Sequence, residues 1–267
     1  MKKYAFKVTG EKTFSEEVTR HNFLLRCMPG AYSFQRPYAY KLTVRPYTAL
    51  THIYDVYGNE MYTGTVDKKH TSFSFEASGF VLCSRYLTHE PLDRLFCYPT
   101  RLTRPTEEMS RLLDRASLSR DTWGRARQIC EMTRDTLREA PEGSHLPAGE
   151  VLSTGYGDAW DLSQVLITLC RLSGIGARFV SGLVAGIPTV HSWAEVYADG
   201  VWRALDPTTG LPGEDGYLKI AHGPDALACA LERSVYRGME DGAPKLSDLS
   251  VTVTEHVITT RDTVPRA

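Results

Sequence analysis

A change of hydrophobic period near residue 100 narrows the possible folds more than any other feature of this chain. From Lys2 to about Tyr86 the apolar residues fall in short runs, YAFKV, NFLLRC, YAYKLTV, SFSFEA and FVLC, which are aromatic or β-branched and often alternate. Pro29-Gly30 and Gly58-Asn59 lie between these runs, where tight or left-handed backbone is needed. After Pro99 the spacing turns helical in TEEMSRLLDRAS and RDTWGRARQICEMTRDTLREA, with Thr106 and Asp121 placed to cap. The prediction is an α+β chain: an N-terminal β-sandwich-like domain over 1–100 and a second domain over 101–267. A length of 267 residues with 42% hydrophobic content suffices for the cores this requires.

The turn-rich stretch 141–150 reads as a surface loop. Beyond it, in GDAWDLSQVLITLCRLSGIG, Asp158 suits an N-cap, Asp161 follows three residues later, and Leu162, Val165, Leu166 and Leu169 make one apolar face. Gly174 ends this helix. ARFVSGLV, HSWAEVYA and VWRALD then read as strands, and TVTEHVITT (252–260) as a final strand closing the sheet.

Asp199-Gly200 is a strong two-residue hairpin signal, and it fixes a register. Ala198 faces Val201, Trp193 faces Asp206 and His191 faces Thr208, so His191 and Asp206 are diagonal neighbours on one face. Such positions lie about 7–8 Å apart at the backbone, which an imidazole and a carboxylate can bridge by a hydrogen bond. A histidine oriented by a carboxylate is the base half of a nucleophilic triad. A reactive thiolate would be favoured at a helix N-terminus, where unpaired N–H groups and the macrodipole stabilise negative charge. The helix capped by Asp158 offers that place, yet its first residue is Ala159.

The segment 157–182, with HSWAEVY and WRALDPT after it, resembles the core of the transglutaminase-like superfamily. Members of that family carry a Gly-x-Cys-x-Asp helix start, a Gly-Ile-Pro-Ala-Arg-like segment, a His-x-Trp strand and an Asp-Pro-Thr strand end. The resemblance extends to GYLKIAHG (216–223) and, in the N-terminal half, to the neighbourhoods of Gln35 and Asp55-x-x-Gly-Asn in bacterial members. It implies a papain-like core in which a helix N-terminus packs on an antiparallel sheet. It also implies thiol acyl transfer on peptide or carboxamide bonds, with His191 as base, Asp206 as its orienter and position 159 as the nucleophile. Ala159 cannot attack a carbonyl, so the chain as written is expected to be catalytically dead, as an active-site knock-out or as a natural pseudoenzyme. Gly176, Pro224 and Gln164 stand where relatives commonly have proline, arginine and histidine. Gly157, Trp160 and Trp193 are the candidate cleft residues, with Trp193 as a core or cleft-wall residue and Trp160 lining the channel or packing inward. Trp123 is read as a packing residue rather than an oxyanion donor.

The expected partners are a peptide, a protein or a small amide. Lys and Arg number 31 against 32 Asp and Glu, a balance that disfavours nucleic acid and anionic membranes. The start MKKYAFKVTG lacks the apolar stretch of a secretion signal, and no run reaches a membrane span of about 18 residues, so a cytoplasmic location is expected. Six dispersed cysteines read as reduced thiols. No cofactor and no metal are expected, because His-Glu-x-x-His, Cys-x-x-Cys and Gly-Lys-Ser/Thr motifs are all missing, as is Gly-x-Ser-x-Gly.

Overall fold

A computed structural model describes residues 1–140, 145–213, 215–238 and 247–258. The N-terminal half is built from β1 (Lys2–Leu25), β2 (Gln35–Arg45), β3 (Thr51–Tyr54), β4 (Glu60–Val66) and β5 (His70–Cys83). Then follow α1 (Glu107–Arg115), α2 (Thr122–Thr136), β6 (Arg138–Glu139), α3 (Ala148–Thr154), β7 (Tyr156–Gly157) and α4 (Ala159–Leu172). β8 (Ala177–Val184), β9 (His191–Ala198), β10 (Val201–Asp206), β11 (Leu211–Pro212) and β12 (Tyr217–Gly223) form the second sheet, and β13 (Glu232–Arg237) and β14 (Ser247–His256) come last. Helix starts fall where the sequence places caps. Thr106 Oγ1 accepts from the Met109 N–H at 3.4 Å, Asp121 Oδ2 from Gly124 at 2.5 Å and Asp158 Oδ1 from Asp161 at 3.0 Å.

β1 organises the first half. Its first part pairs with β14 on one flank and β5 on the other, and its last part with β13 and β4. The register breaks between Thr13 and Val18 and again between Thr19 and Asn22, where Arg20 takes a φ of 48°. One long strand thereby bends within a seven-stranded sheet, and Phe6, Val8, Phe14, Phe23, Phe73 and Phe75 are buried in the core.

The expected division at residue 100 does not describe this sheet, because β13 and β14 return from beyond residue 230 to pair with β1. The physical reason is geometric: β4 and β5 occupy one flank of β1, and the other needs partners of its own. The strand expected over 252–260 begins earlier, at Ser247, ends at His256 and joins β1; residues 259–260 lie outside the described residues. Of the loop expected over 141–150, residues 141–144 lie outside the described residues, and from Ala148 the chain is already in α3.

The second sheet has the order β11-β10-β9-β8-β12 and is antiparallel throughout. α4 packs across β8 and β9, and α2 and α3 pack against α4. α4 is therefore buried from Asp161 to Arg171, well beyond the single apolar face seen in the sequence. β12 is the terminal strand, and side-chain amides from the first half satisfy its outer backbone. Gln35 accepts from Lys219 N–H at 2.8 Å and donates to Lys219 C=O at 2.7 Å. Asn59 does the same at His222, at 2.9 and 2.7 Å. Each amide reproduces the donor–acceptor pair of a neighbouring strand.

Candidate active site

Two sequence-local devices build the site. The first is the start of α4. Ala159 is its first residue and is half-buried; Asp158 caps it, and Asp161, fully buried, accepts from the His145 backbone N–H at 3.0 Å. Gly157 lies just upstream in β7, paired with Glu139 of β6. A Cβ at 157 would stand 2.5 Å from the Asp161 Cβ, so only glycine lets the chain pass this close to the helix it enters. Trp160 is half-buried, its ring 6.2 Å from Phe179 and 4.7 Å from His145.

The second device is the β9–β10 hairpin. Asp199 and Gly200 have φ values of 54° and 82°, as a type I′ turn requires, and the register runs from Ala198–Val201 to Ala194–Leu205 as the sequence dictates. His191 and Asp206 meet as expected: Nε2 stands 2.8 Å from Oδ2. The carboxylate only accepts, so Nε2 carries the proton, and in the neutral imidazole Nδ1 is the free base.

Asp206 is 1% exposed and receives four donors. Thr208 gives Oδ1 its N–H at 2.9 Å and its hydroxyl at 2.7 Å; His191 and the Tyr217 hydroxyl, at 2.7 Å, share Oδ2. Burial alone would raise the Asp206 pKa, but the hydrogen bond and charge of His191, with help from Tyr217 and Thr208, hold it below its ordinary value. The carboxylate is thus fixed in its ionised form and in one orientation. The Tyr217 phenol moves the other way, pushed up by burial and then by Asp206, so it stays a donor.

Trp193, expected in the core or the cleft wall, is fully buried and backs the site. Its ring lies 6.4 Å from that of His191 at 28°, and its indole N–H donates to the Tyr86 hydroxyl at 3.2 Å. Tyr86 in turn donates to Glu195 at 2.7 Å, and Arg178 and Lys219 hold that buried carboxyl far below its usual range despite burial. Trp123 is a packing residue, with the Arg203 guanidinium 4.9 Å from its ring centroid.

Tyr217, Tyr86 and His145 were not visible in the sequence as site residues. Asp206-Pro-Thr does carry the signal for the Thr208 contact, since an Asp that bonds two residues onward is a common turn device. Tyr217 lies in the GYLKIAHG stretch that shares the resemblance, but eleven residues and a chain reversal separate it from Asp206, so no local pattern points to their bond. All six cysteines are free; burial raises the thiol pKa of Cys27, Cys83, Cys130, Cys170 and Cys229, which makes them poor nucleophiles. Among the described residues no three His, Cys, Asp or Glu side chains are placed to hold a metal, and no helix is long and apolar enough to cross a membrane.

Comparison with known proteins agrees with this construction. The chain is 27% identical over 153 residues to an uncharacterised protein of Mycobacterium tuberculosis and equally so to one of Mycobacterium bovis. These matches cover 48% of this chain and 48% of each relative, so the chain spans about half the length of the curated relatives it matches. The fold is similar to that of a candidate cysteine protease of Cytophaga hutchinsonii, with a TM-score of 0.80, 97% of this chain and 93% of that one covered, and 18% identity. The Transglutaminase-like superfamily core matches residues 112–207, the stretch that holds Ala159, His191 and Asp206, and the Bacterial transglutaminase-like N-terminal region matches residues 11–82. The chain thus carries a Bacterial transglutaminase-like N-terminal region followed by a Transglutaminase-like superfamily core.

Proposed function

We propose that this chain is the scaffold of a thiol acyl-transfer enzyme acting on peptide or carboxamide bonds, held inactive by alanine at the nucleophile position. The observation that carries this reading is the buried His191–Asp206 pair at 2.8 Å, complete in a chain whose capped helix starts at Ala159. With a cysteine at 159, Nδ1 of His191 takes the thiol proton and Asp206 stabilises the resulting imidazolium. The sulfur adds to the carbonyl carbon, the C–N bond breaks, and His191 returns the proton to the departing amine. Water or an amine, deprotonated by His191, then displaces the sulfur from the thioester and regenerates the thiol. Hydrolysis is favoured over transamidation, since water needs no binding site of its own. Ala159 keeps the backbone N–H that would face the oxyanion, so the chain retains the means to bind a carbonyl without cleaving it.

The Ala159→Cys variant tests this. Iodoacetamide should alkylate residue 159 well below pH 8, and that reactivity should vanish in Ala159→Cys/His191→Ala, with the Ala159 chain as background. A residue 159 that reacts as an ordinary thiol regardless of His191 overturns the reading.

Ala159 is best explained as the replacement of one cysteine in a working site, because the cap, Gly157 and the His191–Asp206 pair all stand intact around it. A second reading, a natural peptide-binding module, is favoured by Gln164, whose buried amide has no hydrogen-bond partner. A genomic alanine codon at 159 would decide for the second.

A further inference from the structure

We infer that Tyr217 is a positioning residue of the His191–Asp206 pair, its hydroxyl fixing which carboxylate oxygen the imidazole binds and how much of the carboxylate's charge reaches it. This rests on the acyl-transfer reading of the same site. The two bonds converge on one atom: Tyr217 O–H and His191 Nε2 reach Asp206 Oδ2 at 2.7 and 2.8 Å. A carboxylate oxygen has two lone pairs, and these two donors use both. Thr208 occupies Oδ1 with two further bonds, so rotation about the Asp206 carboxyl breaks four charge-assisted contacts at once.

The Thr208 and Tyr217 contacts differ in kind. Thr208 lies two residues on, and its bonds are those of a local Asp turn that forms whatever the surroundings. Tyr217 arrives from β12, across the sheet from β10, so its bond exists only when the sheet is complete. Its ring also restrains the imidazole. The centroid lies 6.4 Å from that of His191 at 68° and 5.2 Å from that of Trp193 at 86°, so Tyr217 meets edge-on two rings that are themselves stacked at 28°. Trp193 is pinned in turn by Tyr86. The phenol withdraws part of the Oδ2 charge from the imidazole, weakening the imidazolium but keeping Asp206 ionised and aligned.

The test is Tyr217→Phe, read first in the Ala159 chain, where no thiol chemistry intervenes. The carboxyl carbon of Asp206, followed by NMR, should titrate at higher pH in the variant, and the His191 Nε2 proton should move downfield as it gains sole use of Oδ2. In the Ala159→Cys chain the same change should move the alkylation midpoint of residue 159 to lower pH, because the imidazolium regains the Oδ2 charge that the phenol had withdrawn. 3-Fluorotyrosine placed at position 217 alone, which makes that phenol a stronger donor, should move the Asp206 titration the opposite way. An Asp206 titration and a His191 signal unchanged in folded Tyr217→Phe and in the fluorinated protein overturn the inference. Because those readouts need no cysteine, they separate its failure from that of the acyl-transfer reading, which fails only if Ala159→Cys shows no His191-dependent reactivity.

Discussion

At the scale of single residues, Asp206 concentrates the site's electrostatics. Its four donors hold the carboxyl pKa below the ordinary 3.8, so its contribution to stability is full above that pH and is lost as pH falls below it. Asp206→Asn should remove this acid-sensitive component and, in the Ala159→Cys chain, should move the alkylation midpoint of residue 159 upward by about one pH unit or more, because the imidazolium loses its counter-charge. A midpoint that stays in place would mean that the carboxylate does not support the ion pair. The His191–Asp206 contact was legible from two flanking strands and one Asp-Gly turn, since a two-residue hairpin leaves a single register. The buried position of Trp193 was not, because alternation assigns a residue to a face of the sheet and says nothing about what covers that face.

At the scale of elements, β1, β5 and β13 meet around a buried polar cluster in the first half. His21 Nδ1 stands 3.1 Å from His70 Nε2, and His21 Nε2 stands 2.7 Å from Ser234, which also contacts Glu232; Lys12 pairs with that glutamate at 2.5 Å. Burial, then His70 and Lys12, lowers His21 to about 4. Between its ordinary 6.5 and that value the unfolded chain takes up a proton that the folded chain refuses, so stability should fall on acidification across this window, by up to about 3 kcal/mol. His21→Gln, which retains hydrogen-bonding capacity but does not titrate, should flatten the drop when urea unfolding is compared at pH 7 and pH 4.5; an undiminished drop would assign it to other groups. The strands that carry this cluster were legible as short alternating runs. Their meeting was not, because Ser234 and His21 are brought together by a pairing between distant parts of the chain, which no local pattern encodes.

At the scale of the whole molecule, side-chain amides and returning strands fasten the two halves. Gln35 and Asn59 complete the backbone of β12, and β13 and β14 complete the flank of β1. A chain ended after residue 231 would lose both of those strands, uncover one side of β1 and expose the apolar surface beneath Val251 and Val253. Such a truncation should self-associate on size exclusion and melt at lower temperature than the full chain; a monomer with an unchanged transition would show that the returning strands are dispensable. The change of hydrophobic period near residue 100 marked where helices begin, and it was natural to read it as the limit of the sheet. It failed there because a sheet is closed by edge geometry, and edges take whatever strand reaches them.

The bent strand at the centre of that sheet also sets a timetable. β1 leaves the ribosome before its partners β13 and β14, and the helices and the whole second sheet are made between them. Throughout synthesis of the second half, one side of β1 waits with its amides and carbonyls uncommitted. A nascent chain of this design needs either a chaperone on that side or a rate of translation faster than its own tendency to find the wrong neighbour.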